Sequence, residues 1–369
     1  MANINLASAK RAKNDEFYTQ YNDIQKEVEA YFEYNPDVLR GKTVLLPCDD
    51  PEASQFTKYF AENFERLGLR KLISTSYAPA AKSELYGTLF SCTANKGVNP
   101  MNERGRIFIL DHDTNANGRI DIDDLEWNYL EGDGDFRSEE VRKLRDEADV
   151  VVTNPPFSLF REFLAWIFAA KPAKMFLVIG NMNAITYKEV FPLIMSNKIW
   201  LGATGNGSDM VFGVPKGAHI NPKDREKAAK LGYVGDFTRL GNSCWFTNLE
   251  HGRRHTPMEL MTEAENIKYS RHKKEVRGTG YRKYDNYDAI EVPFVDAIPS
   301  DFKKVMGVPI SFLDKYCPEQ FEIVGATESE GKGFSHGLWD SASGVSQPLV
   351  GGERVFKRIF IRARKGDGK

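Results

Sequence analysis

Val150-Val151-Val152-Thr153-Asn154-Pro155-Pro156-Phe157 is the stretch on which the reading of this chain turns. The short apolar, β-branched run is of the kind that fills a strand buried on both faces. It must stop at the Pro-Pro pair, because proline fixes φ and removes an amide donor. Three groups then meet in a small space: the acceptor oxygen of the Asn154 side chain, the Pro155 carbonyl, and the flat face of Phe157. Two acceptors and a ring suit a planar substrate carrying an amino group, with its N–H bonds held and its plane stacked. A methyl donor placed opposite receives attack from that nitrogen. The plainer reading is a strand that ends in an ordinary proline turn.

The flanking pattern sets this strand among alternating helices and strands. Helical spacing of Ile24, Val28 and Tyr31 covers about 22–34. Thr43-Val44-Leu45-Leu46 reads as a buried strand, followed by a helix from about Pro51 to Arg66. Strands are predicted at 71–75 and 106–110, with loop over the Asp-, Asn- and Gly-rich 111–137. A helix runs from its N-cap Ser138 to Glu147, with acids in the first turn. Strand 149–153, helix 158–170, strand 175–179 and a helix near 187–196 complete the series. This alternation predicts a parallel α/β sheet covered on both faces. After about 197 the strands shorten (199–201, 209–212, 244–246), and the main break is predicted near 215. That divides the chain into 1–215, with an Asp-rich insertion at about 111–131, and a less regular 216–369.

At 369 residues the chain is long enough for one large domain with insertions or for two. An apolar content of 41% with 28% charged residues is that of a soluble globular protein. No apolar run approaches a membrane span, and the N-terminus lacks a signal-peptide core, so a cytoplasmic protein is expected. Cys48, Cys92, Cys244 and Cys317 form no CxxC pair and read as reduced thiols. The net charge of −2 does not announce a polyanion partner. Local charge is more suggestive. Residues 251–284 hold nine Lys/Arg against four Glu, 353–369 hold seven against two acids, and Lys10, Arg11 and Lys13 form a basic arm. Such runs are also common as solvated surface.

Ligands of open α/β sheets sit beyond the carboxyl ends of the strands, near the point where strand order reverses. Cys48-Asp49-Asp50-Pro51 follows the first buried strand and opens a helix at such a corner. It has no G-x-G-x-x-G, which weakens a dinucleotide reading but leaves room for a cofactor without pyrophosphate. Acids there can face the positive parts of an aminoacyl sulfonium, or can simply cap the helix. Asp15-Glu16-Phe17-Tyr18-Thr19 lies before the first helix, where folding does not require two aromatics between an acid pair and a hydroxyl. Gly132-Asp133-Gly134-Asp135-Phe136 can set an acid and an aromatic against an adenine ring; each can also be only a turn.

The segments DEFYTQY (15–21), PCDDP (47–51), GDGDF (132–136), TNPPFSLF (153–160) and IGNMNAITYKEVFP (179–192) together resemble the EcoRI-type adenine-specific DNA methyltransferases. The similarity continues through WLGATGNGSDMVF (200–212), GNSCWFTNL (241–249), KYDNYDAIEV (283–292) and VMGVPISFLDKYCPEQFEIVG (305–325), nearly the whole chain. The resemblance implies a Rossmann-like class I methyltransferase sheet with a C-terminal target-recognition region. It also implies S-adenosylmethionine as donor and transfer to N6 of a flipped-out adenine in duplex DNA, in restriction-modification or host protection. Its motif order is similar to that of the gamma group. By this resemblance Phe17, Tyr18, Thr19, Cys48, Asp49, Asp50, Asp133, Asp135 and Phe136 contact the donor, and Asn154, Pro155, Pro156 and Phe157 form the catalytic motif. The sequence departs from many methyltransferases near Ser74-Thr75-Ser76, which lacks the acid used for the ribose hydroxyls.

Two features stand apart. Asp113, Asn115, Asn117, Asp121 and Asp124 match the spacing of an EF-hand-like calcium loop, with Gly118 at the sixth position. Any such ion is structural, and the competing reading is a polar surface loop built on Asx turns. Residues 200–290, where basic residues interleave with Tyr269, Tyr281, Tyr284 and Tyr287, are the expected target-recognition region. Double-stranded DNA is the expected partner of a monomer that needs no membrane and no protein partner. The alternatives are a protein-glutamine or RNA amino-methyltransferase, and a non-catalytic DNA- or calcium-binding protein.

Overall fold

The elements follow in the order β1 (Tyr18–Thr19), α1 (Tyr21–Tyr34), β2 (Thr43–Leu46), α2 (Gln55–Glu62), α3 (Phe64–Leu67), β3 (Lys71–Ser76), β4 (Arg106–Leu110) and β5 (Glu126–Tyr129). Then come α4 (Glu139–Glu147), β6 (Val150–Thr153), α5 (Phe160–Phe168), β7 (Met175–Asn181), α6 (Phe191–Met195), β8 (Trp200–Leu201), β9 (Val211–Gly213), α7 (Pro222–Lys230), β10 (Phe237–Arg239) and β11 (Ser243–Thr247). The remainder are α8 (Glu263–Tyr269), β12 (Ile290–Glu291), β13 (Met306–Pro309), β14 (Phe321–Ala326), β15 (Leu349–Val350), β16 (Glu353–Arg354) and β17 (Arg358–Ala363). The computed structural model describes residues 17–49, 54–78, 104–204, 210–215, 218–327 and 348–364. Asp50, Pro51, the pair Asp15-Glu16, Cys92, the basic arm of Lys10, Arg11 and Lys13, and Lys365 and Lys369 of the tail lie outside the described residues.

The chain forms two compact units, one of residues 1–182 and 202–249, the other of 183–201 and 250–369. This interleaved division differs from a single break near 215, because β9 pairs with β1 and β11 pairs with β7. Within the first unit the main sheet runs β5-β4-β3-β2-β6-β7-β11. Its centre, β3-β2-β6-β7, is parallel, whereas β4, β5 and β11 are antiparallel to their neighbours. The predicted all-parallel sheet is therefore mixed. A four-residue apolar run such as that after Arg106 in Arg106–Leu110 marks a strand but not its direction. Every residue of β2 and β6 is buried, as their uninterrupted apolar runs require of central strands.

Local chemistry sets the helix starts. The Ser138 hydroxyl accepts from Val141 N at 3.2 Å and caps α4. Helix α2 is described from Gln55, where the Ser54 hydroxyl caps Phe56 N; the predicted start at Pro51 lies outside the described residues. On α1, Glu27 shares the core face with Ile24, Val28 and Tyr31 and is fully buried. Its carboxylate accepts from Tyr31 Oη, Ala203 N and Thr204 N at 2.7 Å each, and from Thr204 Oγ1 at 2.5 Å. These bonds replace the water lost on burial and fix residues 202–204. A Cβ on Gly202 would sit 2.2 Å from Glu27 Oε1, so only glycine lets the chain pass.

In the second unit, sheet β12-β13-β17-β14 is crossed by a buried ion pair between Arg358 and Glu291, with Nη2 to Oε1 at 2.5 Å. The Tyr284 hydroxyl donates to the same carboxylate, and Tyr287 packs against Tyr284 and Phe360. Both tyrosines are buried core residues. Of the tyrosines read with the basic run, Tyr269 is exposed and Tyr281 donates to the Ala297 carbonyl. A crevice is lined by residues that include Trp200, His251, Arg254 and Tyr316. There Arg254 lies over the Trp200 ring at 4.0 Å.

Burial pushes the His251 imidazole down from 6.5 to about 4. The unfolded chain binds this proton near 6.5 and the folded one only near 4, so stability conferred by neutral His251 is complete above 6.5 and lost as pH falls through that window. The span corresponds to about 3 kcal/mol. His251→Gln is expected to flatten the pH dependence of urea unfolding of this region between 6.5 and 4; an unchanged slope would count against it.

Candidate active site

The order of the main sheet reverses at β2, which lies between β3 and β6. The chain leaves β2 into Pro47-Cys48-Asp49 and leaves β6 into Asn154-Pro155-Pro156-Phe157, so both motifs emerge at neighbouring carboxyl ends. Asp49 braces this corner from inside, with only 7% exposure. Its Oδ1 accepts from Ser54 Oγ and its Oδ2 from Thr153 Oγ1, each at 2.7 Å. Its backbone N–H bonds to Thr75 O at 3.1 Å, and its carbonyl accepts from Ser74 Oγ at 2.6 Å. One residue thus ties together β2, β3, β6 and the cap of α2. Cys48 is half-buried, whereas Cys244 and Cys317 are buried.

Asn154 is half-buried and its amide has a defined orientation. Nδ2 donates to the Phe17 carbonyl at 2.7 Å and to Thr19 Oγ1 at 3.3 Å. Oδ1 is a buried acceptor without a hydrogen-bond partner. Phe17 and Thr19 come from the β1 segment, held by antiparallel pairing of Tyr18 with Gly213 and Thr19 with Phe212. The Phe17 ring lies 5.5 Å from Phe157 and 5.9 Å from Phe212. Pro155 is buried, Pro156 is half-buried, and Phe157 opens a 3-10 turn that leads into α5. The structure therefore brings Phe17, Tyr18 and Thr19 to the Asn-Pro-Pro-Phe motif, 135 residues or more along the chain.

The 132–136 loop lies at the end of β3. Ala78 N bonds to Asp133 O, and Gly105 N bonds to Gly132 O, both at 2.8 Å. Gly134 has φ +84°, and a Cβ there would come 2.3 Å from the Ser76 carbonyl. Asp135 takes Arg137 Nη2 at 2.6 Å and also accepts from the Tyr77 hydroxyl. Burial opposes ionisation of Asp135, but Arg137 and Tyr77 outweigh it and hold the carboxyl below the usual range. Phe136 departs from its expected role as a wall for adenine. It is 2% exposed and packs on Phe163 and Trp166 at 5.1 and 5.7 Å, so its ring belongs to the core. Sequence reasoning missed Tyr77, Phe212 and the brace through Thr153. Ser76, at the position lacking the ribose acid, has a buried Oγ without a partner.

The 113–124 loop directs its acids toward its own backbone. Asp113 accepts from Asn117 N and Gly118 N, Asn117 from Arg119 N, and Asp121 from Asp123 N. Asp124 accepts from Thr114 N, Asn115 N and Asp121 N, and Asn115 accepts from Asn117 N. No group of three or more His, Cys, Asp or Glu placed to hold a metal occurs among the described residues. The calcium expectation for Asp113, Asn115, Asn117, Asp121 and Asp124 thus finds no support, and the Asx-turn loop describes the geometry.

A sheet that reverses at β2, with an unpartnered amide oxygen and an aromatic ring at the reversal, is the arrangement of a class I methyltransferase acting on an amino nitrogen. The sequence model described as "Adenine-specific methyltransferase EcoRI" matches residues 5–364. The chain belongs to this family of adenine-specific DNA methyltransferases, whose methyl donor is S-adenosylmethionine. The type II methyltransferase M.EcoRI of Escherichia coli is 42% identical over 320 residues, spanning 86% of this chain and 88% of its own length. M.MpnI of Mycoplasma pneumoniae is 35% identical over 317 residues (86% and 83%), and M.MgeORF184P of Mycoplasma genitalium 34% over 317 residues (86% and 84%). No solved structure matches the chain. No helix among the described residues is long and apolar enough to cross a membrane.

Thr153→Val keeps the shape of the side chain but removes a donor from the buried Asp49 carboxylate. A loss of about 1.5–3 kcal/mol in urea unfolding is expected, the usual value for a hydrogen bond to a charged group. Unchanged stability would mean that Asp49 does not brace the two strands.

Proposed function

We propose that this enzyme methylates N6 of an adenine turned out of duplex DNA, with Asn154 and Pro155 accepting the two amino hydrogens. The observation that carries the reading is the buried, unpartnered Asn154 Oδ1 beside the half-buried Phe157 ring. Inside the duplex the amino group is out of reach, so the base must leave the stack. Acceptance of its hydrogens raises electron density on N6 and orients the nitrogen, while Phe157 offers a stacking face worth about 1–3 kcal/mol. Pro155 and Pro156 fix the backbone of the turn that carries both acceptors.

S-adenosylmethionine, when bound, supplies an electrophilic methyl group on a sulfonium. The unpartnered Ser76 Oγ at the end of β3 fits a ligand hydroxyl, in place of the missing acid. Tyr18, Cys48, Asp133 and Asp135 are candidates for the same pocket, as is Asp50 outside the described residues. Asp49 acts there as the brace of the walls, and Phe136 as the core beneath them. A structural calcium in 113–124 forms no part of the proposal. Exposed Lys273, Lys274, Arg277, Arg282 and Lys283 support phosphate contacts by the second unit. One chain carries both sets of features, which supports action as a monomer; the setting of the proposal is the cytoplasm, in restriction-modification or host protection.

Tritiated methyl transfer to duplex DNA, with the product nucleoside identified, tests the reaction. Asn154→Ala is expected to lower turnover by about 10²-fold or more while leaving donor affinity unchanged. Near-normal turnover in that variant would sink the mechanism.

A further inference from the structure

We infer that Thr19, together with the Phe17 carbonyl, is a positioning element that fixes which end of the Asn154 amide faces the adenine. The inference rests on the reading of Asn154 as the N6 acceptor and gives Thr19 a role other than donor contact.

An asparagine amide is nearly symmetric in shape, and rotation by half a turn exchanges an acceptor for a donor. Only the acceptor end can take an N6 hydrogen; the reversed amide would point its own N–H bonds at the adenine amino group. The side chain therefore needs an orienting partner outside the substrate. The Phe17 carbonyl lies 2.7 Å from Nδ2 and can only accept, so the reversed amide would bring two oxygens to that separation. Thr19 Oγ1, 3.3 Å from the same Nδ2, accepts the second N–H. With both hydrogens of Nδ2 directed into β1, Oδ1 alone is left for the substrate.

The placement of Thr19 agrees with this role. The residue is only 3% exposed, and its pairing with Phe212 holds the hydroxyl on the Asn154 side of β1. The same pairing keeps Phe212 beside the Phe17 ring, so the carbonyl and the hydroxyl are carried by one paired strand. A buried hydroxyl that accepts from Asn154 acts on the reaction through that amide.

Thr19→Val removes the acceptor at constant shape, and Thr19→Ser retains it. The measurements are the single-turnover rate of methyl transfer to duplex DNA at saturating donor, donor affinity by calorimetry, and thermal unfolding to establish that each variant is folded. Thr19→Val is expected to slow the single-turnover step about 3- to 10-fold, the loss of one neutral hydrogen bond, with donor affinity within about twofold of the parent. Thr19→Ser should restore the rate. Weakened donor binding in Thr19→Val, with or without a slower step, would make Thr19 a donor contact and overturn the inference. An unchanged rate would overturn it as well. Asn154→Ala, assayed alongside, separates the two levels: near-normal turnover there defeats the underlying mechanism, whereas an inactive Asn154→Ala with a fully active Thr19→Val defeats only the positioning role.

Discussion

The carboxylate of Asp49 is the interaction on which the catalytic corner depends. Two parallel strands that diverge at their carboxyl ends leave a gap between them, and something must hold its walls at a fixed separation. Asp49 does so with Ser54 on one oxygen and Thr153 on the other, while its own main chain reaches β3. Both bonds come from short side chains with few rotamers, so the corner is stiff. Thr153 directly precedes Asn154, and the position of the Asn154 amide is thus set from within the sheet.

A second constraint acts on Asn154 from outside. The sheet determines where its Cα lies, but the direction of the amide comes from β1, which belongs to the small sheet β1-β9-β10. Location and orientation are supplied by different parts of the first unit. The aromatic rings obey the same division: Phe157 rides on the β6 turn, while Phe17 and Phe212 ride on the paired strands beside it.

Much of the fold was legible because its signals are contiguous. The runs 43–46 and 150–153 declare central strands by lacking any polar face, and Ser138 with the acids after it declares the start of α4. Direction and order within the sheet were not legible, since pairing of β11 with β7 leaves no mark on either five- or seven-residue run. In the site, Asn-Pro-Pro-Phe can be read as one unit because its four residues are adjacent. One partner of Nδ2 is 137 residues away and is a main-chain oxygen, which carries no residue identity at all. Phe136 shows the opposite difficulty: a phenylalanine after a Gly-Asp turn reads equally as wall or core, and only Phe163 and Trp166, on α5, decide it.

The pairing of β1 with β9 also bears on how the enzyme comes into being during synthesis. A growing chain that has reached residue 182 contains the parallel centre of the sheet and the whole Asn-Pro-Pro-Phe tetrapeptide. It does not yet contain Phe212 and Gly213, against which β1 is laid. Nor does it contain 243–247, which cover the open side of β7. Contacts of such long sequence separation form late and slowly. On the reading of Asn154 as the N6 acceptor, the nascent chain holds that residue before the strand that orients its amide is in place, so activity waits on residues well beyond the motif that fold back onto it.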